Sequence, residues 1–124
     1  MPKKIILDFK EDPDLLDKTA KEWAEVIPGD NDRMKKTQIR NFYDRVLELQ
    51  EDIKRDNFEN VYPFIKMLNS KVAYGVNRKV VSREFQEMMT QCLNQITRDR
   101  GGKEKFDNFQ LFFEAVLGFF KGGN

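Results

Sequence analysis

Residues 106–120 constrain the fold of this chain more than any other stretch. Phe106, Phe109, Phe112, Phe113, Val116, Leu117 and Phe120 recur three and four residues apart, the repeat of an α-helix with one broad apolar face. A face this aromatic needs cover from other elements, so the last helix is expected at the centre of a core.

The preceding residues supply that cover in four further helical segments. Asp12-Pro13 reads as an N-cap followed by proline at the first helical position, with Leu16, Ala20, Trp23 and Ile27 facing inward. Pro28-Gly29-Asp30-Asn31 ends that helix. A second helix over about 35–55 turns Ile39, Phe42, Tyr43, Val46, Leu47 and Ile53 to one side. A third over roughly 60–77 carries Val61, Phe64, Ile65, Leu68, Val72 and Val76, with Pro63 placed in its first turn, where proline is tolerated. The fourth opens at Ser82 and aligns Phe85, Met88, Met89, Cys92 and Ile96. Gly101-Gly102 is expected to break the chain before the last helix, and Lys121-Gly122-Gly123 to stop it. Only residues 4–9 alternate weakly in the manner of a strand. The fold class expected is all-α, a compact bundle of about five helices, in one domain spanning residues 1–124. Residues 1–34, with the first helix, either join the bundle or lie at its periphery.

Composition narrows the chemistry. There is no histidine, which removes Ser-His-Asp and Cys-His nucleophile systems, histidine general bases and most zinc sites. The single cysteine, Cys92, has no partner for an internal disulfide and sits among Met88, Met89, Leu93 and Ile96, as a small buried hydrophobe would. No apolar run approaches the ~20 residues of a membrane span, and the apolar stretch after Met-Pro-Lys-Lys is too short for a signal peptide. The expected location is the cytoplasm. Carboxylates gather at Asp12/Asp14/Asp17, at Asp30/Asp32 and at Glu48/Glu51/Asp52, but helix-dipole complementarity or pairing along a helix explains each group. Gly101-Gly102 lacks the Gly-Lys-Ser/Thr of a phosphate-binding loop. No catalytic residue, metal site or cofactor is expected, and the chain reads as a binding protein rather than an enzyme.

Charge is distributed unevenly behind a net +1. Residues 1–34 are net −3, residues 35–79 net +4 and residues 80–124 neutral. Between Glu59 and Glu84 lie Lys66, Lys71, Arg78, Lys79 and Arg83 with no acid among them. On a helix Met67, Lys71, Tyr74 and Arg78 fall in one stripe beside the apolar one. Two cations flanking an aromatic suit an RNA strand, with phosphates on the cations and a base against the ring. Lys36 and Arg40 form a second basic edge on the preceding helix, and antiparallel packing could merge the two edges. The bland alternative is a solvated face, with Tyr74 at the rim of the core.

Three stretches together resemble one family. Residues 35–43, Lys-Lys-Thr-Gln-Ile-Arg-Asn-Phe-Tyr, are similar to the Lys-x-Ser/Thr-Gln-Ile/Leu-Arg-x-Phe-Tyr signature of the small subunit of Csm-type (type III-A) CRISPR effector complexes. Residues 68–78, Leu-Asn-Ser-Lys-Val-Ala-Tyr-Gly-Val-Asn-Arg, resemble that family's Leu-Lys-Pro-Lys-Leu-Ala-Tyr-Ala-Ala-Gly-Arg segment. Residues 109–121 resemble its C-terminal Phe-x-x-Phe-x-Glu-Ala-Ile/Val-x-x-Phe/Tyr-x-Lys helix. Order and spacing agree over residues 35–121.

The resemblance implies a non-catalytic helical bundle that stacks in several copies along the guide RNA and target RNA through backbone contacts, beside the other Csm-complex subunits. Lys35, Arg40, Lys71 and Arg78 match basic positions of the family motifs, and Tyr74 the aromatic between them. The chain departs from the pattern at Asn69-Ser70, where the family has Lys-Pro, and at Gly75, a helix-weakening residue that costs up to ~1 kcal/mol relative to alanine. Lys66 is the cation placed to compensate. The RNA-contacting residues expected are therefore Lys35, Lys36, Arg40, Lys66, Lys71, Tyr74, Arg78 and Lys79. The alternative from another class is a helical protein–protein adaptor without direct RNA contact.

Overall fold

A computed structural model describes residues 2–121 and contains six α-helices among them. They are α1 (Ala20–Val26), α2 (Lys36–Arg55), α3 (Phe58–Lys66), α4 (Leu68–Asn77), α5 (Arg83–Leu93) and α6 (Arg100–Phe119). The described residues contain no strand, and the all-α bundle expected from periodicity is the fold observed. Its centre is α6, which packs on α1 and α2 and buries Phe106, Phe109, Phe112, Phe113 and Val116 completely. Phe113 is the hub. Its ring meets Tyr43 of α2 edge-on at 5.4 Å, Phe85 of α5 at 5.9 Å and Phe109 one turn away at 5.9 Å.

The first helix begins differently from the expectation. Leu15–Thr19 forms a π-turn that runs directly into α1. A turn widened by one residue brings positions five apart onto one face. Leu15 and Ala20 are buried together for that reason, whereas Leu16 is turned outward. Asp12 does not sit as an N-cap beside a first-turn proline but is buried beneath the π-turn. Its carboxylate accepts from the Thr19 hydroxyl at 2.7 Å and the Asp14 N–H at 3.1 Å, with the Lys3 ammonium 3.3 Å away. Burial alone would raise the pKa of Asp12, but these donors outweigh it and hold the carboxyl below its usual value.

Residues 4–9 have the alternation of a strand without a strand partner. Ile5 and Leu7 point into the core, and helix side chains take up the backbone groups a sheet would have paired. Gln91 and Gln95 of the α5 region accept from the N–H groups of Ile5 and Leu7 at 2.8 and 2.9 Å. Gln95 donates to the Ile5 carbonyl at 2.8 Å and Asn108 of α6 to that of Leu7 at 3.0 Å. The Trp23 indole N–H donates to the Lys3 carbonyl, so this segment also covers α1.

The third expected helix is two. Asn57 caps α3 by accepting from the Asn60 N–H at 2.9 Å, so the helix starts earlier than expected and Pro63 lies in its second turn, not its first. Without an N–H, Pro63 cannot bond the carbonyl of Glu59. α3 ends at Lys66, and Met67, whose N–H still bonds the Pro63 carbonyl at 3.0 Å, joins it to α4. Phe64, expected in the core, is 52% exposed beside that joint.

Gly101 and Gly102 do not break the chain. They form the first turn of α6, capped by Asp99, whose side chain accepts from the Gly102 N–H at 3.0 Å. Ser82 caps α5 as expected, accepting from Phe85 N–H at 3.1 Å, and its hydroxyl also donates to the Ile27 carbonyl past the end of α1.

Candidate nucleic-acid interface

α2 and α4 leave a groove of about 730 Å³ between them. From α2 it is lined by Gln38, Asn41, Phe42, Arg45 and Glu48, a set spaced so that one helix face carries all five. α4 contributes Leu68, Ser70, Lys71 and Tyr74. The deepest of these are apolar: Leu68 is fully buried, and Phe42 is half-buried with its ring 5.3 Å from that of Phe85. Polar and charged groups form the walls above.

Tyr74 stands at the rim, 63% exposed, with the Arg78 guanidinium carbon 5.4 Å from its ring centroid. That stacking orders Arg78 beside Lys71 on one flank of α4. Among the described residues, no carboxylate pairs with Lys71, Arg78 or Lys79, so their charges remain available. Across the groove Arg45 lies 3.7 Å from Glu48, a loose pair on the surface.

The eight candidate residues do not form one cluster. Lys71, Tyr74 and Arg78 come together at the groove. Lys35 is the exposed N-cap residue of α2, while Lys36 and Arg40 are exposed on a different face of α2 from the groove. Arg40 lies on the side of Tyr43, where burial raises the phenol pKa and the guanidinium is among the groups drawing it back. Lys66 faces elsewhere: its ammonium donates to the Leu93 carbonyl at the end of α5 and rests 5.5 Å from the Tyr62 ring. Burial lowers its pKa, and there it acts as a cap on α5.

Lys79 is held in a strained backbone. Its φ is +63°, the left-handed region, and it occupies the position after the α4 C-cap where glycine is usual. The Lys79 N–H bonds the Val76 carbonyl at 3.0 Å and the Val80 N–H bonds Gly75 at 3.0 Å, the paired bonds of a Schellman turn. A side chain costs ~1–2 kcal/mol in that conformation, partly offset by the greater freedom glycine gives the unfolded chain. Lys79→Gly is therefore expected to stabilise the fold by about 0.5–1 kcal/mol, read as a higher urea midpoint. An unchanged midpoint would mean that the lysine side chain relieves the strain through contacts of its own.

Gly75 is not a flexible point in α4 but a site of close packing. A Cβ there would lie 2.4 Å from Val81 Cγ2, so the bare backbone lets the chain after α4 fold back onto it. This fixes α4 against α5 and with it the positions of Lys71 and Tyr74.

Sequence reasoning missed Arg45. It falls with Gln38, Asn41 and Phe42 at positions three and four apart, and that spacing was the available signal. Among the described residues, no three carboxylate or thiol groups gather where they could hold a metal ion, and no helix is long and apolar enough to cross a membrane.

A family model described as Csm2 Type III-A matches residues 10–123. No curated protein and no solved structure gives a match. The matched span takes in α1 to α6, including both walls of the groove and the Phe-rich central helix. This chain belongs to the Csm2 Type III-A family and is a structural small subunit of the CRISPR Csm complex.

Proposed function

We propose that the α2–α4 surface contacts the RNA backbone, and that copies of this subunit stand side by side along the guide RNA and target RNA in the cytoplasm. The observation that carries this reading is the junction of Lys71, Tyr74 and Arg45 in one groove, with Arg78 stacked on the Tyr74 ring. Lys79 is exposed just past the end of the same helix, and Lys35, Lys36 and Arg40 form a separate exposed basic edge at the start of α2. A few cations on one copy would hold RNA weakly and with steep salt dependence. Neighbouring copies on one strand turn later contacts into near-intramolecular ones, which raises avidity with no new chemistry. A net charge of only +1 lets identical subunits pack beside one another and beside the other Csm subunits without strong repulsion.

Lys71→Ala combined with Arg78→Ala is expected to weaken RNA binding and to flatten the dependence of log K on log salt by roughly two phosphate contacts. Fluorescence anisotropy across a salt series measures both quantities. An unchanged slope would remove the stripe from the RNA contact. An assembly that survives ribonuclease and tolerates the double substitution would identify the subunit as a protein–protein adaptor instead.

A further inference from the structure

Phosphate recognition alone needs only cations on an accessible surface, and this groove has more. It is a recess with an apolar floor, Phe42 and Leu68, and amide side chains on its wall, Gln38 and Asn41. An amide presents a donor and an acceptor side by side, the complement of a nucleobase edge, and contributes little to a phosphate already held by lysine and arginine. Tyr74, more than half exposed at the rim, offers an aromatic surface, and Lys71 sits one turn before it on α4. Base and phosphate contacts of one nucleotide would then fall on neighbouring positions of a single helix. The volume, about 730 Å³, lies within the range of small-molecule sites and exceeds what a phosphate group fills.

We infer that the groove is a subsite for one unpaired nucleobase of an RNA strand, stacked on Tyr74 above the Phe42–Leu68 floor with its edge toward Gln38 and Asn41. This rests on the RNA-contact reading and adds to it a preference for a strand with a free base over a fully paired duplex. An A-form duplex presents its bases already stacked and paired, so it can offer the groove only phosphates and sugars.

The test uses the purified full chain and two single-stranded oligoribonucleotides of equal length, one ordinary and one abasic throughout, titrated over a salt series. The ordinary strand is expected to bind at least about fivefold tighter at every salt concentration, with equal salt slopes, because the stacking contribution is not ionic. Tyr74→Ala should abolish that difference, while Tyr74→Phe, which keeps the ring, should retain it. Tyr74 is exposed, so folding is not at stake in either variant. Equal affinity of the two strands with a steep salt slope would overturn the base subsite and leave the backbone reading standing. Failure of both strands to bind would overturn both readings.

Discussion

Phe113→Ala should remove about 3–5 kcal/mol from the stability of this protein. The residue is completely buried and its ring contacts three others, Tyr43, Phe85 and Phe109, drawn from α2, α5 and α6. Truncation loses the transfer free energy of a phenyl group, the edge-to-face contacts, and the dispersion of a cavity wall that three stiff rings cannot close over. Domains of this size are stable by only ~5–15 kcal/mol, so the variant is expected near the margin of folding. Urea denaturation measures it directly, as a large fall in midpoint with little change in slope. A loss below about 1.5 kcal/mol, the range of tolerated core swaps, would show that the aromatic cluster repacks freely and that Phe113 is not its hub.

Gly102→Ala should be nearly as damaging for a different reason. A Cβ at that position would lie 1.6 Å from the Thr97 carbonyl oxygen and 2.8 Å from the Thr97 nitrogen. Both are backbone atoms, so no side-chain rotation relieves the clash; the turn before α6 must move and take the Asp99 cap with it. Alanine gains ~1 kcal/mol of helix propensity over glycine, which is too little to offset a displaced helix start. The expected net loss is about 3 kcal/mol. Gly101 supplies the control, since its Cβ would be exposed and would meet only Asp99 Oδ1 at 3.3 Å. Gly101→Ala should stay within about 1 kcal/mol of the parent. Equal effects of the two substitutions would show that helix propensity, rather than the close approach to Thr97, governs both.

The contrast between these two glycines shows where the sequence is legible. The apolar stripes of α5 and α6 could be read because burial follows the 3.6-residue repeat, and Phe106 through Val116 lie where that repeat puts them. In α2 the expected Leu47 is exposed and Leu49 is buried in its place. Gly101-Gly102 was misread as a break because glycine in sequence has two meanings, freedom and closeness, and only the neighbouring chain tells them apart. Leu15 and Leu16 exchanged roles because a π-turn adds one residue to the repeat, a change with no composition signal. Residues 4–9 alternate because one side faces the core, which is true of a strand and equally of an extended segment laid on helices.

The candidate interface was half legible. Lys71, Tyr74 and Arg78 share a stripe on one helix, so their proximity follows from spacing. What stands opposite them depends on how α2 is rotated about its axis. That rotation is set by Phe42 and Tyr43 packing toward Phe85 and Phe113, and it brings Arg45 to the groove rather than Lys36 or Arg40. Lys66 turned away from the groove because the α5 C-terminus offered it a carbonyl, a tertiary partner that no local pattern reveals.

The amides that hold residues 4–9 have a consequence for how the chain is made. A ribosome delivers Ile5 and Leu7 well before their backbone partners Gln91, Gln95 and Asn108, which lie 86 to 101 residues further along. At ordinary elongation rates that interval is on the order of ten seconds. For that time the nascent segment's N–H groups are paired only with water, its apolar side chains are bare, and it has no sheet edge of its own to join. Its docking must await the emergence of α5 and the first half of α6, so residues 4–9 are secured only after helices translated long after them.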